Sequence, residues 1–174
     1  MHYTAARVIG AVFALSFAFT AGAQDKSSAA AKVSSKDRSF IMQAMNGGMQ
    51  EIELSKIALQ NGASADVKAF AQRMVEEHEK AGKELEMISA KLGAAPPKPA
   101  GTQNDLKRLA KLKGAKLDSV YVERMVNGHK GAIALFEKQA KSGRAEELKQ
   151  FAGKALPVLQ EHLKAALALA EKGK

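Results

Sequence analysis

Four long stretches in which apolar residues recur every three or four positions, each closed by a glycine- or proline-bearing break, constrain this chain more than any other feature. In the first, Asp37 to Gln60, Phe40, Ile41, Met45, Met49, Ile52 and Leu59 keep the step of a helix with one face turned inward, and Asn61-Gly62 supplies a stop. Ser64 caps the second, which carries Val67, Phe70, Ala71, Met74, Val75, Leu85, Ile88 and Leu92 on one side and ends at Gly93. The third spans Asp118 to Lys141 with Tyr121, Met125, Ala132, Ile133 and Phe136 inward. After Ser142-Gly143, the fourth spans Ala145 to Glu171 through Leu148, Phe151, Leu159, Ala166 and Leu169. Pro157 inside it is expected to kink the helix.

Between the second and third stretches, Gly93 to Gln103 contains Pro96, Pro97 and Pro99 and has no helical period, so it reads as a linker, followed by a short helical piece at Asn104 to Lys113. No strand pattern occurs. Two short loops and one longer middle connection predict an all-α fold, an antiparallel up-down-up-down four-helix bundle over residues 37–174.

The N-terminus reads differently. Arg7, an apolar run from Val8 to Phe19 and Ala21-Gly22-Ala23 form a signal peptide over residues 1–23 with a small-residue cleavage site. The run is about a dozen residues, whereas a bilayer-spanning helix needs about 20. The expected product is exported to the periplasm and starts near Gln24. It keeps no integral membrane segment after cleavage and lacks the alternating pattern of an outer-membrane barrel. Residues 24–36, rich in Ser, Ala and Lys and without large apolar side chains, read as a flexible leader.

The absence of cysteine excludes disulfides, thiolate metal sites and thiol catalysis. Cleavage removes Arg7 alone among the cations and leaves 26 Lys and Arg against 18 Asp and Glu, a net charge of +8. These lysines are interspersed with acids along every helix and aromatics for base stacking are few, so nucleic acid is not expected as a partner.

Beyond the leader the chain has three histidines, each on a different helix. At about 100° per residue, His78 projects between Val67, Met74 and Leu85, His129 onto the stripe of Met125, Ala132 and Phe136, and His162 onto that of Leu148, Ala155, Leu159, Ala166 and Leu169. If an apolar stripe covers about a third of each helix, chance would turn all three inward only a few per cent of the time. Buried imidazoles need partners for their ring nitrogens, and a shared metal ion or carboxylate network supplies them together. Counted from the loops at one end of the bundle, the three histidines and Glu51 lie at depths spread over roughly 10 Å at 1.5 Å per residue.

On the first helix Glu51 shares a strip of small residues with Ala44, Gly48 and Ser55, which leaves room for other ligands. Glu53 projects from the far edge of the stripe, so Glu51 is the preferred carboxylate. Asp118 projects toward the His129 face or serves as the N-cap of its helix. Glu77, at the stripe edge beside His78, is a candidate supporting acid. Met74 and Met125 stand four residues before candidate histidines, and Met45 and Met49 face the same core. A His and Met mixture suits cuprous ion, although core filling is the more usual role of methionine.

Read together, GGMQEIELSKIAL, VKAFAQRMVEEH ending at His78, YVERMVNGH ending at His129, GAIALFEKQA, and LKQFAGKALPVLQEHLKAA around His162 resemble the bacterial family called domain of unknown function 4142. The resemblance covers about Asp37 to Ala170. It implies an exported ferritin-like bundle whose recurrent helix-1 acid and three histidines correspond to Glu51, His78, His129 and His162. The family's outer-membrane label has no counterpart in these residues, and no activity comes with the name. The chain departs from di-iron ferritins, in which Glu-x-x-His recurs: Val75, Val126 and Leu159 stand three residues before its histidines.

The expected function is therefore that of a periplasmic bundle holding one transition metal ion through His78, His129, His162 and Glu51, in metal homeostasis or envelope stress. Nitrogen-rich ligation points to zinc, copper or iron. The alternative is a metal-free structural or interaction module of the envelope. No nucleophile elbow, phosphate loop or cofactor fingerprint marks an enzyme.

Overall fold

The computed structural model describes residues 33–94 and 103–173. The signal peptide expected over residues 1–23, most of the expected leader and most of the proline-rich linker lie outside the described residues. Five α-helices follow in order: α1 (Ser35–Asn61), α2 (Ala65–Lys91), α3 (Gln103–Leu109), α4 (Gly114–Ser142) and α5 (Glu146–Lys172). Among the described residues there is no strand.

Local chemistry sets the ends. Ser34 caps α1, accepting from the backbone N–H of Asp37 while its hydroxyl donates to the Asp37 carboxylate, a reciprocal box that starts the helix two residues before the periodicity does. Ser64 caps α2 through the N–H of Val67, and Gly93 follows α2 in the left-handed conformation (φ +65°) that glycine adopts without penalty. Helix α4 begins four residues earlier than the apolar period indicated, at Gly114, also left-handed (φ +62°), and the added turn buries Leu117. Helix α5 runs unbroken through Pro157. The ring removes one N–H from the ladder, but Pro157 and Gly153 both lie on the exposed side, where water can bind the freed carbonyl.

Helix α1 packs along α2 and α4, α5 along α4 and α2, and α3 against α1, so the four long helices form a bundle around one interior. The up-down-up-down order expected from the loop lengths does not hold: α4 lies beside α1 and runs opposite to it, and the α1–α2 and α4–α5 loops lie at opposite ends, because the connection between α2 and α4 is long enough to cross back along the bundle. The core divides into two apolar clusters. One gathers Leu54, Ala58, Phe70, Met74, Tyr121, Met125 and Ala166; the other gathers Phe40, Ile41, Leu85, Phe136, Leu148, Phe151 and Leu159. In the second, Phe40 and Phe136 meet edge to face at 5.0 Å, a geometry worth about 1 kcal/mol beyond burial. Between the clusters lies a polar layer, because Glu51, His78, His129 and His162 each fall between apolar positions of the two groups on their own helices.

Asp37, 1% exposed, ties the chain start to the α4–α5 connection. Its carboxylate accepts from Gln139 Nε2 at 2.8 Å and from the backbone N–H groups of Arg144 at 3.0 Å and Ala145 at 3.2 Å. Toward the other end of α1, Ser55 donates to the Glu51 carbonyl at 2.7 Å. Its single proton thus spent, it accepts from the Tyr121 hydroxyl at 2.9 Å, and burial drives that hydroxyl's pKa well above the usual range.

Candidate metal centre

Each long helix delivers one group to the polar layer. Helix α1 brings Glu51, whose Oε2 lies 2.7 Å from His78 Nε2 of α2 and whose Oε1 lies 3.5 Å from His129 Nδ1 of α4. The carboxylate has room there because Gly128 has no side chain: a Cβ at that position would stand 2.6 Å from Glu51 Oε1. His129 Nδ1 bonds to the Met125 carbonyl at 2.8 Å, and His129 Nε2 lies 3.3 Å from His162 Nδ1 of α5. His162 Nε2 meets Glu77 Oε2 at 2.7 Å, and the other oxygen of Glu77 accepts from Arg73 Nε at 2.8 Å. The ring centroids are 5.2–5.7 Å apart, and one nitrogen from each ring lies within 4.8 Å of the others.

The outer partners decide which nitrogens carry hydrogen. A carbonyl or a carboxylate only accepts, so Nδ1 of His129, Nε2 of His162 and Nε2 of His78 are the donors. In the neutral rings the opposite nitrogens are then bare. In His129 and His162 these nitrogens, Nε2 and Nδ1, face each other across 3.3 Å with no proton between them, and His78 Nδ1 is buried without a partner. Burial holds His129 below the ordinary imidazole range and brings His162 down to about 4, so both are neutral near pH 7. Burial pushes Glu77 up, but bonds from Arg73 and His162 outweigh it and hold the carboxyl below its usual range.

These shifts set an acid dependence. The unfolded chain binds a proton on His162 near pH 6.5, whereas the folded one refuses it until about pH 4. Between those values the unfolded state therefore holds more protons and stability falls as pH falls. In chelator-treated protein, His162 is expected to make urea titrations at pH 7 and pH 4.5 differ by about 2–3 kcal/mol, at 1.36 kcal/mol per pKa unit, and His162→Gln should remove that share and leave the part due to His129.

The layer unites His78, His129, His162 and Glu51, which the sequence singled out. Glu53 stays outside it, paired with Lys56 at the surface. Glu77 supports His162 on another helix rather than its neighbour His78. Asp118 neither joins the layer nor caps its helix, because α4 starts a turn earlier. Its carboxylate instead accepts from the N–H groups of Ala63 and Ser64 in the α1–α2 loop, where a Cβ on Gly62 would stand 2.6 Å from its Oδ1. Met74 and Met125 are fully buried in an apolar cluster, as core-filling methionines are. Sequence reasoning missed Arg73 and Gly128. The i, i+4 spacing of Arg73 and Glu77 was a visible signal for the first, and a glycine beside an inward histidine for the second.

These features define a helical bundle whose three buried histidines could hold a metal ion. The chain belongs to the DUF4142 family (domain of unknown function), whose model matches residues 22–169. No curated protein matches it in sequence. Among solved structures, it is similar to a DUF305 fragment from Deinococcus radiodurans, with a TM-score of 0.72, 13% identity and coverage of 80% of this chain and 98% of that one. CopM in a Cu(I)-bound form is also similar, with a TM-score of 0.68, 18% identity and coverage of 78% and 96%. CopM in a Cu(II)-bound form gives 0.68, 17%, 79% and 97%.

Proposed function

We propose that this protein is an exported envelope protein that binds one transition metal ion through His78, His129 and His162. Copper is the first candidate and zinc and iron follow. The observation that carries the reading is the meeting of two bare nitrogens, His129 Nε2 and His162 Nδ1, beside a third imidazole, His78, whose Nδ1 is buried and unpaired. Two lone pairs that face each other without a proton between them call for a cation. At metal–nitrogen distances of about 2.0–2.1 Å, ligating nitrogens lie about 3.3–3.6 Å apart, which the His129–His162 pair already matches. One nitrogen from each of the three rings lies within 4.8 Å of the others, so holding one ion in common needs about 1 Å of closure.

Glu51, expected from the sequence as the fourth ligand, is better placed to accept from His78 Nε2, and Glu77 does the same for His162. Ligating histidines commonly carry such a carboxylate or carbonyl behind them, which orients the ring and raises its basicity. A bound ion would supply charge to the pocket, and the chain's own residues hold His129 and His162 in the tautomers that receive it. Copper in the similar CopM structures supports the choice of metal. Asp37–Gln139 and Ser55–Tyr121 pair α4 antiparallel with α1, and Asp66–Lys172 pairs α5 antiparallel with α2, which supports a ferritin-like up-down-down-up order with one long crossover between the hairpins. The signal-peptide pattern supports a periplasmic location, and no described helix is long and apolar enough to cross a membrane.

A metal-free network is the competing reading, favoured by the same 3.3 Å contact if one proton is shared across it. Protein released from the periplasm by osmotic shock, purified without chelator and analysed for metals decides between them. About one equivalent of copper, zinc or iron, lost in His129→Ala, is expected. Absence of metal above trace level, with none taken up on incubation, overturns the proposal.

A further inference from the structure

The metal pocket is closed. His129 and His162 are 0% and 1% exposed, and the side chains of His78 and Glu51 are 9% and 12% exposed, so an ion cannot reach the bare nitrogens without movement. Among the carboxylates that back the histidines, Glu77 is the one that reaches the surface, its side chain 35% exposed, and the Arg73 side chain holding it is 44% exposed. Arg73 and Glu77 lie one turn apart on α2, and Glu77 spans the seam to His162 on α5. Chain connectivity does not tie that seam directly, since α2 joins α1 and α5 joins α4 through the short loops.

Resting on the metal-binding reading above, we infer that Arg73 and Glu77 form a latch over the ion's route into the site, with Glu77 as its bolt and Arg73 as its keeper. Arg73 fixes one oxygen of Glu77, which turns the other toward His162 Nε2. While both bonds hold, the imidazole is fixed in the wall of the pocket. When Glu77 swings into solvent, His162 loses the partner of its outer N–H and its ring is free to turn aside, opening the α2–α5 seam beside the inner nitrogens. An exposed i, i+4 ion pair contributes little and so restrains the bolt weakly, whereas a charge-assisted bond to a buried imidazole restrains it more. The two residues are positioning residues in this scheme, since neither touches the ion.

The test is stopped-flow mixing of the full-length mature protein with copper(II), followed by its visible absorption, with release measured by transfer to a chelator. Arg73→Ala is expected to speed both uptake and release by about 2-fold and leave the equilibrium affinity unchanged. Glu77→Ala is expected to speed uptake by at least about 10-fold, and to speed release further because His162 also loses its supporting acceptor. Circular dichroism confirms that each variant is folded. A merely supporting role for Glu77 would lower affinity through release alone, and a role in attracting cations would slow uptake. Uptake that is unchanged or slower in both variants overturns the latch while leaving metal binding intact. Absence of copper binding by the unaltered protein overturns both.

Discussion

Metal-free protein given copper in hundredfold excess over its dissociation constant is expected to melt roughly 10 °C higher, and His129→Ala is expected to show no such rise. A ligand that binds only the folded state stabilises it by about 2.7 kcal/mol at that excess, and a domain of this size shifts by a few degrees for each kcal/mol. The unfolded chain separates its three histidines along the sequence, so it offers no comparable site. His129 is the informative position because it is fully buried and is held through Nδ1 by the Met125 carbonyl, which aims Nε2 at the shared point. Differential scanning fluorimetry with and without copper, then with chelator, checks the result. Equal shifts in the unaltered protein and in His129→Ala would locate the copper elsewhere.

The second large effect has nothing to do with the ion. Asp37→Ala is expected to destabilise the fold by about 4 kcal/mol, because it strands the Gln139 amide and the N–H groups of Arg144 and Ala145 without an acceptor, each at a cost of about 1–3 kcal/mol. Asp37→Asn should do little better. Each carboxylate oxygen already accepts two bonds, so an amide nitrogen at either place meets donors with a donor. Burial pushes this carboxyl up, but its four hydrogen bonds hold it below the usual range. Its stabilising effect is thus present above the ordinary carboxylate pKa and is lost as pH falls through the lowered value. Chemical denaturation of the two variants at pH 7 measures the difference, and losses under 1 kcal/mol would remove Asp37 from this role.

The sequence was most readable where one helix alone decides the outcome. The period of each helix turned His78, His129 and His162 inward, and the small residues around Glu51 separated it from Glu53. What depended on two helices at once was hidden. Glu77 lies at the edge of the α2 stripe, and whether it serves His78 or His162 is set by how far α5 is rotated against α2. Asp37 and Gln139 find each other only after α1 docks against α4. Asp118 was misread because the left-handed Gly114 lets α4 begin a turn before the apolar period does, so a residue taken for a cap lies inside the helix and serves a neighbouring loop.

The ring arrangement of the four long helices has a consequence for assembly. Glu51 and His78 come from one hairpin, α1–α2, while His129 and His162 come from the other, α4–α5, and the bonds from Glu77 to His162 and from Glu51 toward His129 cross between them. Neither hairpin owns a complete binding place. An ion seated among the rings would clasp two pieces of chain that are otherwise joined covalently only through the segment between α2 and α4, so that captured cargo would resist the parting of the two halves.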